Sequence, residues 1–322
     1  MTRYLLRRLA FATFLVIAVS SASLVLARLA PGDFVTESVG TQASRQTLEQ
    51  QRARYGLNKS IGEQYRDWIT AAARLDFGYS MQYGRPVSDL VPERAGNTAI
   101  LALTALVFAT AIGVPLGIVT GSRRSGVIPG AIRAASVVLL SMPPLLTSLF
   151  LVFVAARTGW LPIAGMHSAT VPPGGALADL LRHLVVPAAA IGLPLAAMLE
   201  RLQSQAMSEV IDQPFVLATR ARGVPWSRVV WSGACKAALR PVAAIYGLVI
   251  GTLLSGSFAV EVITTWPGLG SLMLQALRAR DVYLVAGCAG AGALFLAVGT
   301  LLSDLTLAIV DPRASETRSE AA

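Results

Sequence analysis

Ala99-Ile-Leu-Ala-Leu-Thr-Ala-Leu-Val-Phe-Ala-Thr-Ala-Ile-Gly-Val-Pro-Leu-Gly-Ile-Val-Thr-Gly121 runs for 23 residues without a charged side chain. About 20 mostly apolar residues cross a bilayer as a helix, and a helix satisfies its own backbone groups where no water is available. Five further blocks of this kind flank it: Leu9–Ala27, Ala134–Ala156, Leu184–Leu199, Val242–Ile263 and Leu284–Val310. The block Leu184–Leu199 is the shortest and carries Pro187 and Pro194, which reads as a simple kink, since neighbouring helices or water can take up freed carbonyls. Composition agrees. Of 322 residues 54% are hydrophobic and 14% charged, against about 25% charged in soluble domains; mean hydropathy is +0.60.

Six spans put both ends of the chain on one side. Net charge is +9, and only Lys59 and Lys236 of the 27 basic residues are lysine. With both ends inside, fourteen basic residues fall on inside segments and thirteen outside, nine of them in the long segment 28–98. Long translocated segments are largely exempt from the positive-inside rule. The short pieces around Arg3, Arg7 and Arg8 and around Arg123, Arg124 and Arg133 are basic at the membrane edge, so both termini are expected in the cytoplasm. Residues 3–27 lack a small-x-small cleavage site and are span-length, which argues for an anchor over a cleaved leader. Cys235 and Cys288 give no disulfide framework. No dense basic run or aromatic-interleaved patch suggests a nucleic-acid partner.

The chain divides accordingly. Residues 1–27 are a cytoplasmic start and the first span. Residues 28–98 form an external, partly helical segment, in which Thr47-Leu48-Glu49-Gln50 reads as a capping box, Gly56 as a helix stop, and Gly62 to Leu75 as an amphipathic stretch. Residues 99–310 carry the other five spans and include a cytoplasmic segment 200–241, broken at Gly223-Val224-Pro225. Residues 311–322 are a polar cytoplasmic tail.

Several chemistries are excluded. A phosphate-binding loop needs lysine after glycine, but Lys59 follows Asn58 and Lys236 follows Cys235. The histidines, His167 and His183, stand sixteen apart, not four apart as in a helical zinc site, and read as loop or interface residues. No G-x-S-x-G elbow is present. No catalytic and no metal-ligating residue is therefore assigned. Asp304 and Glu261 are charged groups in or near spans, where such groups are expensive; interhelical pairing or interfacial placement is the plain reading, a part in gating the sharper one.

Phe215-Val216-Leu217-Ala218-Thr219-Arg220-Ala221-Arg222-Gly223, with Leu239-Arg240-Pro241 behind it, resembles the coupling motif of ABC importer permeases of the dipeptide, oligopeptide and nickel branch. An ordered series extends the likeness over nearly the whole chain: Tyr4–Leu9, Arg28–Asp33, Tyr55–Leu57, Asp76–Gly78, Gly84–Val87, Gly113–Gly117, Gly159–Pro162, Glu261-Val262, Trp266–Gly270, Ala279–Asp281 and Asp311–Arg313. Each piece is weak alone; their order is specific.

The resemblance implies an all-α membrane protein with six spans and the type I importer fold. It implies a second related permease, two ATPase subunits or domains that bind ATP and magnesium, and an external substrate-binding protein; this chain itself needs no cofactor. Ala218, Thr219, Arg220, Ala221, Arg222 and Gly223 would form a cytoplasmic helix docked on the ATPase. Small Ala218 and Ala221 allow close approach, the arginines can pair with acidic groups, and Gly223 can end a helix with positive φ; the plain alternative is an amphipathic surface helix with a glycine stop. Leu217, Pro214 and Pro225 depart from the family pattern. Glu261, Trp266, Pro267, Gly268 and Gly270 are implied at the outer mouth, where Trp266 could stack on a ligand or sit as an interfacial aromatic anchor. The implied cargo is a di- or oligopeptide, with nickel or another small solute as the alternative and a transport-free scaffold or receptor as the distant one. The implied location is the bacterial inner membrane.

Overall fold

A computed structural model describes residues 2–39, 45–123, 125–170 and 174–310. Among the described residues thirteen helices follow one another: α1 Thr2–Leu29, α2 Phe34–Val39, α3 Arg45–Arg54, α4 Ile61–Ala72, α5 Val87–Ser122, α6 Val127–Ser141, α7 Pro144–Thr158, α8 Ala176–Ile211, α9 Pro214–Ala221, α10 Trp226–Arg228, α11 Cys235–Ile263, α12 Leu269–Arg278 and α13 Val282–Val310, with a π-helical turn, Val229–Ala234, joining α10 to α11. Among the described residues there is no strand, only an isolated bridge between Tyr79 and Pro86. By length and composition four stretches among the described residues can cross a membrane, Leu6–Leu29, Val87–Ser122, Ala176–Ile211 and Val282–Leu302, and α6 with α7 makes a fifth when the bent pair counts as one. The block Val242–Ile263 lies inside α11.

The block Ala134–Ala156 is not one helix. It breaks at Met142 and Pro143 into α6 and α7, which meet at 106°. Met142 is extended, at φ −94° and ψ 116°, because the ring of a following proline clashes with a helical conformation before it. Pro144 then opens α7 at its first position, where the missing N–H costs nothing. The chain therefore turns sharply at Ser141–Pro144. Pro187 and Pro194, by contrast, sit inside a 36-residue α8 that continues through both.

Two compact units emerge, residues 1–99 with 267–298 and residues 100–266 with 299–322. In the first, the segment between α1 and α5 folds on its own anchors. The expected capping box at Thr47 is displaced: α3 has already begun at Arg45, and the Thr47 side chain lies outside the described residues. The capping box stands instead at Ser60 and Glu63, opening α4, with Ser60 Oγ accepting from Glu63 N–H and the Ser60 N–H donating to Glu63 Oε2. Gly56 does stop α3, at φ +67°. From α4, Trp68 packs with Leu24 of α1 and Ala286 of α13.

The scattered motifs of this unit are tied by polar contacts. Asp281 is fully buried and accepts from Ser80 Oγ (2.6 Å), Gln82 N–H (3.1 Å) and Leu284 N–H (3.2 Å). Arg28 Nη2 donates to the Leu57 carbonyl at 2.6 Å, and Arg52 Nε reaches Asp33 Oδ2 at 2.7 Å. Burial of the Asp33 carboxyl opposes ionisation, but hydrogen bonds from the Thr36 hydroxyl and N–H and from Arg52 outweigh it and hold this group below its ordinary value.

The second unit is built on α8. A core of Leu101, Ala105, Ala109, Leu184, Ala188, Ile191, Leu195, Leu199, Val249, Leu253 and Val260 closes over Trp266, and a second cluster gathers Ile118, Met207, Val210, Val216, Val229, Val230, Ala234 and Ala238. Cys235 is buried as well.

Candidate coupling segment and outer turn

After α8 the chain turns at Gln213, which is extended (φ −71°, ψ 147°), and Pro214 opens α9. The proline that departs from the family pattern thus occupies the helix position that suits it. Of the eight residues of α9, Val216 alone is buried, at 1% exposure, within the cluster of Met207, Val210 and Val230. Phe215, Leu217, Ala218, Arg220, Ala221, Arg222 and Gly223 are exposed and Thr219 is half-buried. One side chain fixes α9 to the body and leaves most of it on the surface. Beside it opens a pocket of about 110 Å³ lined by Phe215, Val216, Thr219, Val224 and residues of the π-helical turn.

The hydrogen bonds of α9 are local. Thr219 Oγ1 donates to the Phe215 carbonyl at 2.7 Å, and Arg222 Nη2 donates to Thr219 Oγ1 at 3.3 Å. The Arg220 guanidinium lies over the Trp226 ring, 5.3 Å from its centre, an attraction of about 0.5–1 kcal/mol at exposed sites. Gly223 takes φ +80°, and the space where a Cβ would stand is empty. Backbone conformation, not crowding, requires glycine there. Pro225 caps α10, and the π-helical turn follows, with Cys235 N–H donating to the Val230 carbonyl five residues back, a geometry that is rare and recurs at functional sites.

The outer-turn candidates fall on both sides of the boundary between units. In the second unit α11 ends at Ile263, Thr265 takes φ +48°, and Trp266 N–H donates to the Glu261 carbonyl at 2.9 Å. Glu261 and Trp266 are both fully buried. The Trp266 ring belongs to the hydrophobic core and presents no face for stacking or for an interfacial position in this conformation. Gly165 N–H donates to the Thr264 carbonyl at 2.9 Å, which straps the loop after α7 to this turn. In the first unit the Pro267 carbonyl accepts from Asn97 Nδ2 at 2.8 Å, Gly268 is extended ahead of α12, and Leu269 N–H donates to Thr98 Oγ1 at 2.7 Å. Gly270 lies in the first turn of α12. As Pro267 and Gly268 require, the chain does not continue as helix through 264–268.

The two histidines, sixteen residues apart, converge on one carboxylate: His167 Nδ1 and His183 Nδ1 each lie 3.5 Å from Asp179, whose oxygens also accept from Ser168 N–H and Oγ. Among the described residues no group of three His, Cys, Asp or Glu side chains could hold a metal ion. Asp304 falls in α13 and is half-buried.

Sequence reading missed a seam between α5 and α8. Gly113, Gly117 and Gly121 line one face of α5, and α8 lies so close that a Cβ at Gly117 would stand 2.6 Å from the Glu200 carbonyl and 2.6 Å from Gln203 Cβ. At Gly113 and Gly121 the Ala196 and Ser204 carbonyls are closer still. The signal was present: glycine every fourth residue brings small residues to one helix face. Beside the seam Thr120, Glu200 and Gln203 are buried, and Thr120 Oγ1 donates to Glu200 Oε1.

Against known proteins, residues 113–316 match the family model of the binding-protein-dependent transport system inner membrane component, and residues 1–102 match the N-terminal model of such membrane components. The oligopeptide transport system permease protein AppB of Bacillus subtilis is 32% identical over 315 residues, covering 97% of this chain and 99% of the relative. The dipeptide transport system permease protein DppB of Escherichia coli is 28% identical over 334 residues, covering 97% and 98%. With a family model matched over more than half its length and a relative of this identity from end to end, the chain belongs to the family of inner-membrane permease components of binding-protein-dependent transport systems.

Proposed function

We propose that this permease subunit imports short peptides through an ATP-driven complex, with α9 as the element that receives the motion of an ATPase partner. The observation that carries the reading is α9 itself. One buried side chain anchors it, and Phe215, Leu217, Ala218, Ala221 and the two arginines are left on the surface. An exposed apolar helix face rimmed by cations fits a cleft with acidic edges. In this reading six spans place both termini and segment 200–241 in the cytoplasm and segment 28–98 outside. A second, related permease completes the path, a substrate-binding protein delivers cargo, and ATP with magnesium is bound and hydrolysed on partner subunits.

Peptide as cargo follows the names of the relatives, which are oligopeptide and dipeptide permeases. Glu261, Trp266, Pro267, Gly268 and Gly270 are proposed to move at the outer mouth; because Trp266 is buried, its part is to hold the turn, not to touch cargo.

The test is a mild-detergent pull-down of the tagged chain from its native membrane with mass spectrometry. Recovery of a second permease and of ATP-hydrolysing subunits is the expected result. Recovery of the chain alone, under conditions that preserve other such complexes, would favour a scaffold without transport.

A further inference from the structure

Five buried side-chain nitrogen or oxygen atoms have no hydrogen-bond partner among the described residues, and three of them sit on one turn of α8: Glu200 Oε2, Gln203 Oε1 and Gln203 Nε2. Glu200 is 1% exposed, and Gln203 and Thr120 are fully buried. Buried polar atoms are paired as a rule, and a cluster of exceptions marks a site. Nothing about this cluster is accidental to the fold. The glycines of α5 let α8 approach until Gly117 meets the Glu200 backbone and the Gln203 side chain, and both side chains are buried there.

Charge narrows the guest. Glu200 makes no ion pair among the described residues. Arg133, which reaches the neighbouring Thr120 carbonyl, donates there and to the Arg123 carbonyl at 2.6 and 3.1 Å. A buried carboxylate needs a compensating positive charge. Thr120 Oγ1 already donates to Glu200 Oε1 and brings no charge. The oxygens available are the Glu200 carboxylate, the Thr120 hydroxyl bonded to it, and the buried Gln203 amide three residues along α8. Oxygen sets favour hard cations. One carboxylate balances one charge, which matches a monovalent ion; among the described residues no group of three His, Cys, Asp or Glu side chains could hold a metal ion.

We propose that Glu200, Gln203 and Thr120 form a binding site for a small monovalent cation of the sodium class, held between α5 and α8. Glu200 Oε2 and Gln203 Oε1 are the ligands that lack any other partner. Gln203 Nε2 donates to a water that the ion retains. The bound ion ties α5 to the helix that leads directly into α9. The proposal does not depend on the transport reading, and its test needs no cargo and no ATPase.

The experiment is thermal unfolding of the purified full-length chain in detergent, at fixed pH and ionic strength, with sodium chloride exchanged for choline chloride. A ligand that binds only the folded state stabilises it in proportion to the logarithm of 1 + [Na⁺]/Kd. The expected result is a midpoint that climbs with sodium by about a few degrees, and a Glu200→Gln variant that folds but no longer responds. Should that variant fail to fold, equilibrium binding of radioactive sodium to the wild-type chain decides instead, with saturable one-to-one binding expected. A wild-type midpoint indifferent to sodium, potassium and lithium would overturn the site, as would a Glu200→Gln variant that keeps the full response. A midpoint that follows pH alone, and loses that dependence in Glu200→Gln, would show that a proton takes the place assigned here to the cation.

Discussion

At Gly223 the backbone stands at φ +80° with open space around the missing Cβ. A β-branched residue is excluded there by conformation alone, at a cost of about 1–3 kcal/mol. Gly223→Val should therefore leave insertion intact and shift the path out of α9, separating ATP hydrolysis from uptake in the assembled complex. Parallel assays of hydrolysis and cargo uptake check this, and normal cargo-driven uptake would refute it. Glycine here was legible, because a helix stop ahead of Val224-Pro225 calls for positive φ. Trp266 was not: a tryptophan between a span and a Pro-Gly turn reads equally as surface or core, and only tertiary closure buries it. Asp33 gives a second test. Its carboxyl is held below its ordinary value, so its contribution to stability is complete above the unfolded value of about 4 and is lost as pH falls through the lower folded value. Asp33→Asn removes that contribution. The difference in unfolding midpoint between wild type and Asp33→Asn should be constant near neutral pH and shrink as pH drops below about 4.

Among the helices, α5 and α8 meet at a glycine seam. A methyl at Gly117 would meet a carbonyl and a Cβ at 2.6 Å, and backbone cannot yield as a flexible side chain can. Gly117→Ala should cost about 1–3 kcal/mol. Gly130→Ala on α6, where nothing lies within 4 Å, should be neutral or stabilising by up to about 1 kcal/mol through helix propensity. Unfolding midpoints of the two variants, side by side, check the contrast. Helix existence was plain from apolar run length, but two boundaries were not. The break at Met142 depends on paired prolines at a place where one proline would only kink, as Pro187 and Pro194 show by staying within a continuous α8. The capping box expected at Thr47 stands at Ser60, because Ser60-x-x-Glu63 immediately precedes the apolar face that buries Trp68.

At the scale of the molecule, the order of short motifs identified the family, while their spatial meaning was hidden. Asp281 and Ser80 are 201 residues apart and share one hydrogen bond of 2.6 Å; no local pattern announces such a pair, because neither residue's neighbours change when the other is moved. The same holds for Glu200, which reads in sequence as the start of a cytoplasmic segment and is bonded by Thr120, eighty residues away, beside the close approach at Gly117. Topology has a direct check. Cys235 is buried and makes a poor probe, so single cysteines belong at the exposed positions Ser227 and Glu49, with Cys235 and Cys288 replaced by serine. A membrane-impermeant thiol reagent applied outside should label the Glu49→Cys chain and spare Ser227→Cys until the membrane is opened; the reverse pattern would invert the orientation.

The central claim, that α9 meets an ATP-hydrolysing partner, is tested most directly by a photo-crosslinking amino acid at Leu217, which is 55% exposed on that helix. Irradiated in native membranes, it should join the chain to an ATP-binding subunit, while the same group at the exposed Ile163 should not. Crosslinks from position 217 to lipid alone, or to no protein at all, would contradict the claim.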